Sequence, residues 1–573
     1  MESPLVLTSL TLRSGQTVDL DRGVTVIVGP NNAGKSTLLR DINIRMANNG
    51  FESKVLAYHT TELPGGVARL REWFDANGSY YEAGEHPFGT FNEPIWRIGN
   101  HIVTAQQLVD TAGHPLGFSG LAVDRLVGYL DAESRLGASQ DTSAYDSYTN
   151  VPTSALQTLY ARRDLEKELS DLSEAAFGIK LVVNRYAGSS IRLHVGEVTV
   201  DEQMPPTPEY QKQINGLELV YNQGDGMRAF IGMALNILAG AAPIVLLDEP
   251  EAFLHPPQAR IFGRFLAKQS RSGRQIIVST HSEDIVAGLT DDVDADFPIA
   301  ILRLTREDTL NRVAQLSPST VKSLADDPLL RYYDMLNGLF SLGVVLCESD
   351  HDCTYYSAVV QAAVNHDDNS VRALTQSHFT QAGGKSRVMR AIRAFRDAAI
   401  PVVAVFDIDI LQQPNETTEL IESIGGDPAE YQGYLNTIRS AVNSDRTAVD
   451  RGRAAQEVAE LLQNGSGPPT GAELRRVNDI LKPKSGWRKM KAAGTSMLGG
   501  GDLLAYQAVE GKLEKEGIFI LHQGELERLH PTLSQTDKAR WLREAIDSGA
   551  FKHSPALDLL RRAAAYINMK QFA

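Results

Sequence analysis

The sequence predicts an α/β protein with two mainly parallel sheets, one in each half of the chain. Three observations support this class. Short apolar segments alternate with helical patterns along the chain, as in strands connected by crossover helices. The predicted strand at residues 24–28 leads into a glycine-rich loop and then a helix. Acidic residues follow predicted strands at positions 248, 348 and 407, where α/β proteins place their sites.

Length and composition fit a globular protein of two or more domains. The chain has 573 residues, 42% of them hydrophobic and 22% charged, which is ordinary for such proteins. The most apolar segment, residues 234–247, contains Asn236 and Gly240 and is too short to span a bilayer. The N-terminus has no signal-peptide pattern, and Cys347 and Cys353 lack metal-site spacing. We therefore expect a cytoplasmic protein with no membrane partner.

The net charge of −15 argues against a protein that coats nucleic acid. Binding depends on local basic surface, however, so a nucleic-acid enzyme remains possible. Two basic runs, residues 385–396 and 475–491, are candidates, and the second has Trp487 among its cations. Because most basic helix faces are only solvated, these runs support a phosphate-binding function only together with other features.

A phosphate-binding loop follows the first buried strand. Residues 29–36 read G-x-x-x-x-G-K-S between a strand and a helix, which is the context that this motif requires and that a chance glycine loop lacks. Lys35 would reach the β- and γ-phosphates of ATP, and the Ser36 hydroxyl would bind Mg²⁺. The predicted nucleotide-binding residues are Gly29, Asn31, Asn32, Ala33, Gly34, Lys35, Ser36 and Thr37.

Two further strands complete a set of ATPase motifs. Residues 243–247 are apolar and lead to Asp248 and Glu249. Asp248 would hold Mg²⁺ through water, and Glu249 would polarise the attacking water. Residues 275–279 lead to His281, a candidate sensor of the γ-phosphate. A lone histidine is usually structural, but the order of the three elements favours ATP hydrolysis.

This set resembles the ABC-type ATPase heads of SMC and RecF proteins. Residues 251–256 are similar to their D-loop, and His281 occupies the place of their switch histidine. Their signature loop is matched at residues 224–228, where Gly224 and Asp225 replace the usual serine and first glycine while Gly226 is retained. Because the signature loop meets ATP bound to a partner head in that family, the resemblance implies a homodimer or higher homo-oligomer.

We expect the ATPase head to occupy residues 1–325, with an insertion at about residues 65–180. The apolar pattern at residues 156–172 predicts helices, so the insertion is expected to be a mostly helical dimerisation arm. Residues 129–135 predict a strand that returns to the nucleotide site. Arg135 would then lie near phosphate or, as is more common for arginine, at the surface.

A second, acidic site is predicted within residues 326–573. Residues 404–410 form an apolar pattern interrupted by Asp407 and Asp409. If this segment is one strand, the alternation of side chains points both carboxylates to the same face. Carboxylates held together in this way suit Mg²⁺ or Mn²⁺.

Other acids follow neighbouring predicted strands. One buried strand ends at Glu348 and is followed by Asp350 and Asp352, and a later strand precedes Glu525 and Glu527. Parallel strands bring such residues to one edge of a sheet. Capping of the following helix is the simpler explanation for Asp350 or Asp352.

A glutamate at one strand end and Asp-x-Asp at a later one resemble the TOPRIM domain of topoisomerases, primases and certain nucleases. An ABC-type head followed by a TOPRIM domain resembles the OLD (overcoming lysogenization defect) nuclease family, which includes the nuclease subunit of the Gabija antiviral system. The resemblance implies metal ligation by acidic residues, here Glu348, Asp352, Asp407, Asp409, Glu525 and Glu527. It also implies a lysine that assists the transition state, for which Lys491 is the candidate and Lys385 the alternative.

The two sites together predict an ATP-regulated, metal-dependent DNA endonuclease or nickase with ATP and Mg²⁺ (or Mn²⁺) as cofactors. The resemblance adds a role in antiviral defence. RNA cleavage stays open, as does the direction in which ATP acts. A RecF-like DNA-binding ATPase whose TOPRIM domain serves only for protein interaction is the alternative from a different class. A separate accessory protein is compatible with either.

Overall fold

The computed structural model describes residues 3–48, 50–85, 91–98, 101–112, 123–137, 139–146, 150–291, 299–316, 335–444, 451–463, 468–481, 486–534 and 537–570. The chain forms two compact units, Met1–Asp327 and Pro328–Ala573. The predicted domain boundary between residues 325 and 326 lies outside the described residues. Within the described parts, no helix is both long and apolar enough to cross a membrane.

Unit 1 (Met1–Asp327) combines strands and helices. Its strands are β1 (Val6–Leu12), β2 (Thr17–Asp19), β3 (Val24–Val28), β4 (Leu56–Glu62), β5 (Ser79–Tyr81), β6 (Ile95–Ile98), β7 (His101–Thr104), β8 (Val127–Leu130), β9 (Thr142–Ser143), β10 (Leu181–Asn184), β11 (Ser190–Val195), β12 (Glu218–Leu219), β13 (Ile244–Asp248), β14 (Gln275–Ser279), β15 (Ile299–Glu307) and β16 (Leu310–Leu316). Its helices are α1 (Lys35–Ala47), α2 (Gly66–Asn77), α3 (Ala105–Ala112), α4 (Val123–Leu126), α5 (Ala132–Gly137), α6 (Ala155–Ala161), α7 (Arg163–Phe177), α8 (Pro208–Asn215), α9 (Asp225–Ala239), α10 (Pro256–Arg271) and α11 (Glu283–Thr290).

A six-stranded sheet in the order β16-β15-β3-β14-β13-β8 forms the centre of unit 1. Its strands are parallel except β16, which pairs antiparallel with β15. Every residue of β3 and β14 is buried, as expected for strands of a parallel sheet covered on both faces. The carboxyl ends of β3, β13 and β14 therefore bring the three ATPase motifs to one edge.

The region expected to be a mostly helical arm contains strands as well as helices, which corrects that expectation. Strands β5, β6 and β7 form an antiparallel sheet, and β8 joins the central sheet beside β13. Helices α6 and α7 pack against α9 within unit 1. The helical pattern was correct for α6 and α7. The strand predicted at residues 129–135 was correct only at its start, because β8 ends at Leu130 and α5 begins at Ala132. The other short strands of this region were missed. Dimerisation through this region stays a prediction.

Unit 2 (Pro328–Ala573) contains one described parallel sheet surrounded by helices. Its strands are β17 (Val344–Cys347), β18 (His378–Gln381), β19 (Val402–Phe406) and β20 (Ile518–Ile520). Its helices are α12 (Asp350–Asn365), α13 (Arg372–Thr375), α14 (Lys385–Asp397), α15 (Pro414–Ser423), α16 (Ala429–Ser444), α17 (Arg451–Gln463), α18 (Gly471–Leu481), α19 (Gly486–Ala493), α20 (Gly500–Glu514), α21 (Lys538–Asp547) and α22 (Leu557–Lys570). The strand order is β18-β17-β19-β20, with all three pairings parallel.

Candidate nucleotide site and acidic site

Lys35 begins helix α1 directly after the predicted phosphate loop. Its ammonium group donates hydrogen bonds to the carbonyl oxygens of Gly29 and Pro30, at 2.8 and 3.0 Å. Burial lowers the pKa of Lys35 to about 8, against the opposing effect of three nearby carboxylates. The ammonium group of Lys35 is thus hydrogen-bonded to the preceding loop. Its N–H donors can also bind a phosphate group.

A residue of β16 that the sequence motifs did not indicate holds the phosphate loop in place. The side-chain amide of Asn311 donates a hydrogen bond to the carbonyl oxygen of Ala33 at 2.5 Å, and both residues are buried. Asn31 and Asn32 are exposed on the loop. The same loop and the first turn of α1 contain Gly34, Ser36 and Thr37.

Two acidic residues follow one another at the end of β13. Asp248 is its last residue, and Glu249 has a left-handed backbone with φ of 48°, which is unusual for a residue other than glycine. The N–H of Glu249 donates to the carbonyl oxygen of Ser279 at 3.0 Å. The hydroxyl of Ser279 donates to Oδ1 of Asp248. These bonds fix both acidic residues to the end of β14.

His281 lies against Glu249, with 3.4 Å between Nε2 and Oε1. Burial, assisted by the charge of Lys35, lowers the pKa of His281 to about 4, so the imidazole is neutral at pH 7. Glu251 accepts hydrogen bonds from the N–H of His281 at 2.6 Å and from the hydroxyl of Thr280 at 2.9 Å. Sequence reasoning gave Glu251 no role of its own, yet it fixes the histidine backbone.

Gly224 and Gly226 lie at the N-terminus of α9, as the signature-loop match requires. A Cβ atom on Gly226 would approach the carbonyl oxygen of Phe253 to 2.6 Å. The absence of a side chain therefore allows this turn to pack on the segment after β13. The expected contact of both glycines with a nucleotide on a second copy of the chain stays a prediction.

Asp407 and Asp409 do not alternate along one strand, which corrects the sequence-based expectation. Strand β19 ends at Phe406, and Asp409 lies in the 3-10 helix Ile408–Leu411. The N–H of Ile408 donates to the carbonyl oxygen of Gly524 at 2.8 Å, outside the β-ladder. The chain therefore turns after Asp407, and this turn determines where the two carboxylates lie.

Lys491 on α19 connects the predicted acids of unit 2. Its Nζ atom lies 2.9 Å from Oδ2 of Asp409, 3.5 Å from Oδ2 of Asp407 and 3.8 Å from Oε2 of Glu525. Burial alone would lower the pKa of Lys491, but its bond to Asp409 and the other nearby acids raise it. Lys491 is therefore a protonated ammonium group at the centre of these three carboxylates.

Gly524 makes the position of Lys491 possible. Its φ is 101°, and a Cβ atom there would approach the carbonyl oxygen of Lys491 to 2.2 Å. The left-handed region and this close approach both require glycine. The loop after β20 can therefore pack directly on α19 and carry Glu525 towards the lysine.

Lys385, the alternative candidate, also reaches the site. Its Nζ atom lies 2.9 Å from Oδ1 of Asp409 and 3.4 Å from Oε2 of Glu416. Burial would raise the pKa of Asp409, but the hydrogen bonds from Lys385 and Lys491 outweigh it and lower that pKa. Asp409 is thus ionised and shared between two lysines.

The nearby lysines neutralise Glu348 and Asp407 less than they neutralise Asp409. Oε1 of Glu348 accepts a hydrogen bond from the N–H of Asp407 at 3.0 Å. Burial raises the pKa of Asp407 well above its usual range, and the charge of Glu348 raises it further. Burial likewise raises the pKa of Glu348, against the effect of Lys385. The half-buried carboxyl group of Glu348 and the buried one of Asp407 therefore repel one another, and a cation would relieve this repulsion.

Asp352 has a capping role in addition to any ligand role. It accepts hydrogen bonds from the N–H and hydroxyl of Ser349 at 2.8 and 2.7 Å, at the start of α12. Its other oxygen lies 2.9 Å from Nζ of Lys538. The acids Asp352, Asp407 and Glu527 oppose the effect of burial and raise the pKa of Lys538. Lys538 is a third lysine at the site, which sequence reasoning missed.

The acidic residues of unit 2 fit a hard divalent cation chemically, because their donors are all carboxylate oxygens. Among the described residues, however, no group of three or more histidine, cysteine, aspartate or glutamate side chains has an arrangement ready to hold a metal ion. Lysine ammonium groups already contact Asp352, Asp407 and Asp409. A cation would compete with these lysines for the carboxylate oxygens.

The two basic runs are only partly described. In the first run, Arg390 and Arg393 are exposed on α14, whereas Arg396 contacts Glu516 at 2.7 Å. In the second run, residues 482–485 lie outside the described part of the chain. Neither run by itself establishes a nucleic-acid surface.

Part of unit 1 matches a known protein family. Residues 144–287 match the family described as "AAA domain, putative AbiEii toxin, Type IV TA system". This segment includes the signature-like loop and the strands that carry Asp248 and His281, and the phosphate loop lies upstream of it. Unit 1 contains a P-loop ATPase domain. No curated protein matches the chain.

Solved structures similar to the ATPase domain include three SMC heads. The "SmcHead bound to the C-winged helix domain of ScpA" is 13% identical, with a TM-score of 0.34, and covers 55% of this chain and 98% of that one. The Smc head with an extended coiled coil from Pyrococcus furiosus is 12% identical, with a TM-score of 0.32 and coverages of 56% and 99%. The SMC head from Thermotoga maritima is 17% identical, with a TM-score of 0.28 and coverages of 55% and 100%.

Proposed function

We propose that the chain is an ATP-regulated, metal-dependent DNA endonuclease or nickase, with its ATPase domain in unit 1 and a TOPRIM-type nuclease domain in unit 2. The convergence of Lys491 on Asp407, Asp409 and Glu525 is the observation that carries the proposal. Buried like charges are costly to a fold. Their concentration at the carboxyl edge of a parallel sheet supports a functional site.

Glu348, Asp407, Asp409 and Asp352 would hold divalent metal ions, with Glu525 or Glu527 as a further contributor. When bound, such ions would supply an activated water and charge stabilisation at the leaving oxygen of a phosphodiester. The burial of Asp407 and its repulsion with Glu348 favour uptake of a cation. This donor set of carboxylate oxygens suits Mg²⁺ or Mn²⁺.

The lysines of the chain would have separate roles. Lys491 touches three acids and would neutralise charge that develops on the phosphate in the transition state. Lys385 would orient Asp409, to which it donates a hydrogen bond. Lys538 would hold Asp352 at the start of α12.

ATP would act as a regulator. Phosphodiester hydrolysis needs no energy from ATP, and the nucleotide site and the acidic site belong to different compact units. In the proposed cycle, ATP brings two ATPase domains of a homodimer or higher homo-oligomer together through the signature loop, and hydrolysis separates them. The name of the matching family refers to a toxin system, and the resemblance to OLD nucleases adds antiviral defence. A defence role is therefore part of the proposal.

The test is a cleavage assay on supercoiled DNA and on a matched linear DNA and RNA duplex, in Mg²⁺ or Mn²⁺. We expect the wild type to cut DNA and the Asp407→Ala variant to cut none. If the wild type cuts neither substrate, or Asp407→Ala cuts as fast as the wild type, the nuclease proposal fails. Cleavage of RNA alone would reassign the substrate to RNA.

A second candidate function is a DNA-binding ATPase whose unit 2 is a non-catalytic interaction domain. The observation that favours it is the pairing of Asp352, Asp407 and Asp409 with lysines, since a purely structural network would look the same without metal. DNA-stimulated ATP hydrolysis together with no cleavage in any metal would support this candidate.

A further inference from the structure

Arg135 on α5 is a fully buried arginine, with 0% of its surface exposed, contrary to the surface position that is usual for this residue type. Its Nη1 atom donates a hydrogen bond to the carbonyl oxygen of Glu249 at 2.7 Å and a longer one to that of Asp248 at 3.4 Å. Among the described residues, its Nε and Nη2 atoms have no hydrogen-bond partner. A buried cation with spare donors is costly and calls for a functional explanation.

The hydrogen bond from Arg135 falls on the residue whose backbone most needs support. Glu249 has a φ of 48°, a conformation that its Cβ atom disfavours. Its carbonyl oxygen also accepts the N–H of Ala252 at 3.0 Å. The backbone on either side of the Glu249 side chain is therefore fixed by three bonds, to Ser279, Ala252 and Arg135.

Arg135 also contacts the end of the same turn. Its guanidinium carbon lies 5.7 Å from the centre of the Phe253 ring, within the range of a cation–π contact. Phe253 likewise has a left-handed backbone, with φ of 74°. Arg135 thus touches the first and the last residue of the turn from Glu249 to Phe253.

The buried charge of Arg135 is balanced by two acids of this turn and by Asp248, which precedes it. Burial lowers its pKa, and the charges of Glu251, Asp248 and Glu249 oppose that effect. Glu251 in turn holds the N–H of His281. Removal of the guanidinium would therefore leave two carboxylates and two left-handed residues in this turn, with Asp248 just before it, and would remove the cation that α5 supplies.

We propose that Arg135 is a positioning residue for ATP hydrolysis, which keeps the carboxylate of Glu249 aimed at the attacking water by holding the turn from Glu249 to Phe253. The inference rests on the proposed role of Glu249 and is independent of the nuclease proposal. We therefore expect Arg135 to affect the chemical step and to leave nucleotide binding intact. The reason is that Lys35 lies on α1 and the phosphate loop lies between β3 and α1, away from Arg135 on α5.

Arg274 provides a matched control at the opposite end of β13. Its guanidinium donates to the carbonyl oxygens of Ala242 and Gly240 at 2.7 and 2.8 Å. It is thus another arginine bound to backbone carbonyls beside the same strand, but away from Glu249. Substitution of Arg274 therefore shows how much ATPase activity is lost when an arginine no longer binds backbone carbonyls away from Glu249.

The experiment compares kcat and KM for ATP hydrolysis in the full-length wild type, Arg135→Gln, Arg135→Lys and Arg274→Gln, with binding of a fluorescent ATP analogue measured separately. Because a misplacement of about 1 Å can cost about 100-fold in rate, we expect Arg135→Gln to lower kcat by about 10- to 100-fold. Its affinity for the analogue should stay within about threefold of the wild type. The kcat of Arg135→Lys should lie between those of the wild type and Arg135→Gln. Arg274→Gln should retain the wild-type kcat.

A normal kcat in Arg135→Gln, or an equal loss of kcat in Arg274→Gln, would overturn the proposal.

The Arg135→Gln substitution in a Glu249→Gln background gives a second readout in single-turnover experiments. If Arg135 works through Glu249, the double variant is no slower than Glu249→Gln alone. A further loss of the same size would show an independent effect and contradict the proposal. Should Arg135→Gln fail to fold, the same comparisons with Arg135→Lys decide the matter. A wild type that hydrolyses no ATP would instead refute the role proposed for Glu249.

Discussion

The ammonium group of Lys491 lies 2.9 Å from Oδ2 of Asp409 and thereby joins helix α19 to the turn after strand β19. The same ammonium group is within 3.8 Å of Glu525 on the loop after β20. Segments that are far apart in the sequence therefore meet at one cation. This arrangement explains how the fold tolerates the buried carboxylate of Asp407 beside the half-buried carboxylates of Asp409 and Glu525.

The first prediction concerns Lys491→Met, which removes the ammonium group but keeps a side chain of similar length. Loss of a cation positioned to stabilise transition-state charge costs about 100-fold or more, so we expect DNA cleavage to slow by at least that factor. Single-turnover cleavage rates provide the measurement. The control is Lys512→Met, which removes a lysine paired with Glu430 at 2.8 Å on the surface. Equal rates in Lys491→Met and the control would exclude a catalytic role for Lys491.

The second prediction concerns Asp407→Asn and metal. Because burial and then the charge of Glu348 raise the pKa of Asp407, its ionised form is held in the fold at a cost that a neutral amide avoids. The variant should therefore have a Tm in EDTA at least equal to that of the wild type. Mg²⁺ should raise the Tm of the wild type and leave that of Asp407→Asn unchanged. The exposed Asp397→Asn substitution is the control. A Mg²⁺ response that is identical in both variants would place the metal elsewhere.

The third prediction concerns Lys35→Ala. In the proposed nucleotide site Lys35 would supply the ammonium group that binds the phosphates, so we expect the variant to hydrolyse no ATP. Its cleavage of DNA should then be the same with and without ATP, whereas cleavage by the wild type should change. Parallel ATPase and nicking assays make the comparison. If ATP alters cleavage by Lys35→Ala as strongly as cleavage by the wild type, the regulatory role assigned to unit 1 is wrong.

The fourth prediction concerns the pH dependence of stability in unit 1. Burial, and to a lesser degree Arg45, lowers the pKa of His59 to about 4 from its ordinary 6.5. Between these pH values the unfolded chain binds a proton that the folded chain excludes, so stability falls as the pH falls. The free energy of unfolding should fall by about 2 kcal/mol between pH 7.5 and pH 5.

Urea unfolding of the wild type and His59→Leu at both pH values provides the test. The variant should lose less stability on acidification than the wild type, by the amount that His59 contributes. The control is His101→Leu at an exposed position on β7. If His59→Leu and the wild type lose equal stability, His59 is not buried as a neutral imidazole.

The nucleotide site was largely predictable because its residues follow buried strands in local motifs. Asp248 ends β13, His281 follows the end of β14, and Lys35 follows the loop after β3. A parallel sheet brings such strand ends together. A position of Arg135 near phosphate was only one of two alternatives, and Asn311 was not indicated at all. Their partners are backbone carbonyl oxygens of distant segments, and such partners leave no pattern in the sequence.

The acidic site was predictable in its residue types but only in part in its geometry. Ile408 and Ile410 are both fully buried, so the apolar pattern continued past Phe406 and indicated a longer strand. The ladder between β19 and β20 ends at the pairing of Phe406 with Ile520. Lys538 was missed because its contact with Asp352 depends on where α21 packs, which local periodicity cannot indicate.

The rate of nicking of supercoiled DNA as a function of Mg²⁺ concentration, for the wild type and Asp409→Asn, tests the central claim most directly. Asp397→Asn serves as the charge-matched control. The account predicts Mg²⁺-dependent nicking by the wild type and the control, and a loss of at least about 100-fold in Asp409→Asn. Nicking by Asp409→Asn at the wild-type rate, or no nicking by the wild type at any Mg²⁺ concentration, would contradict it.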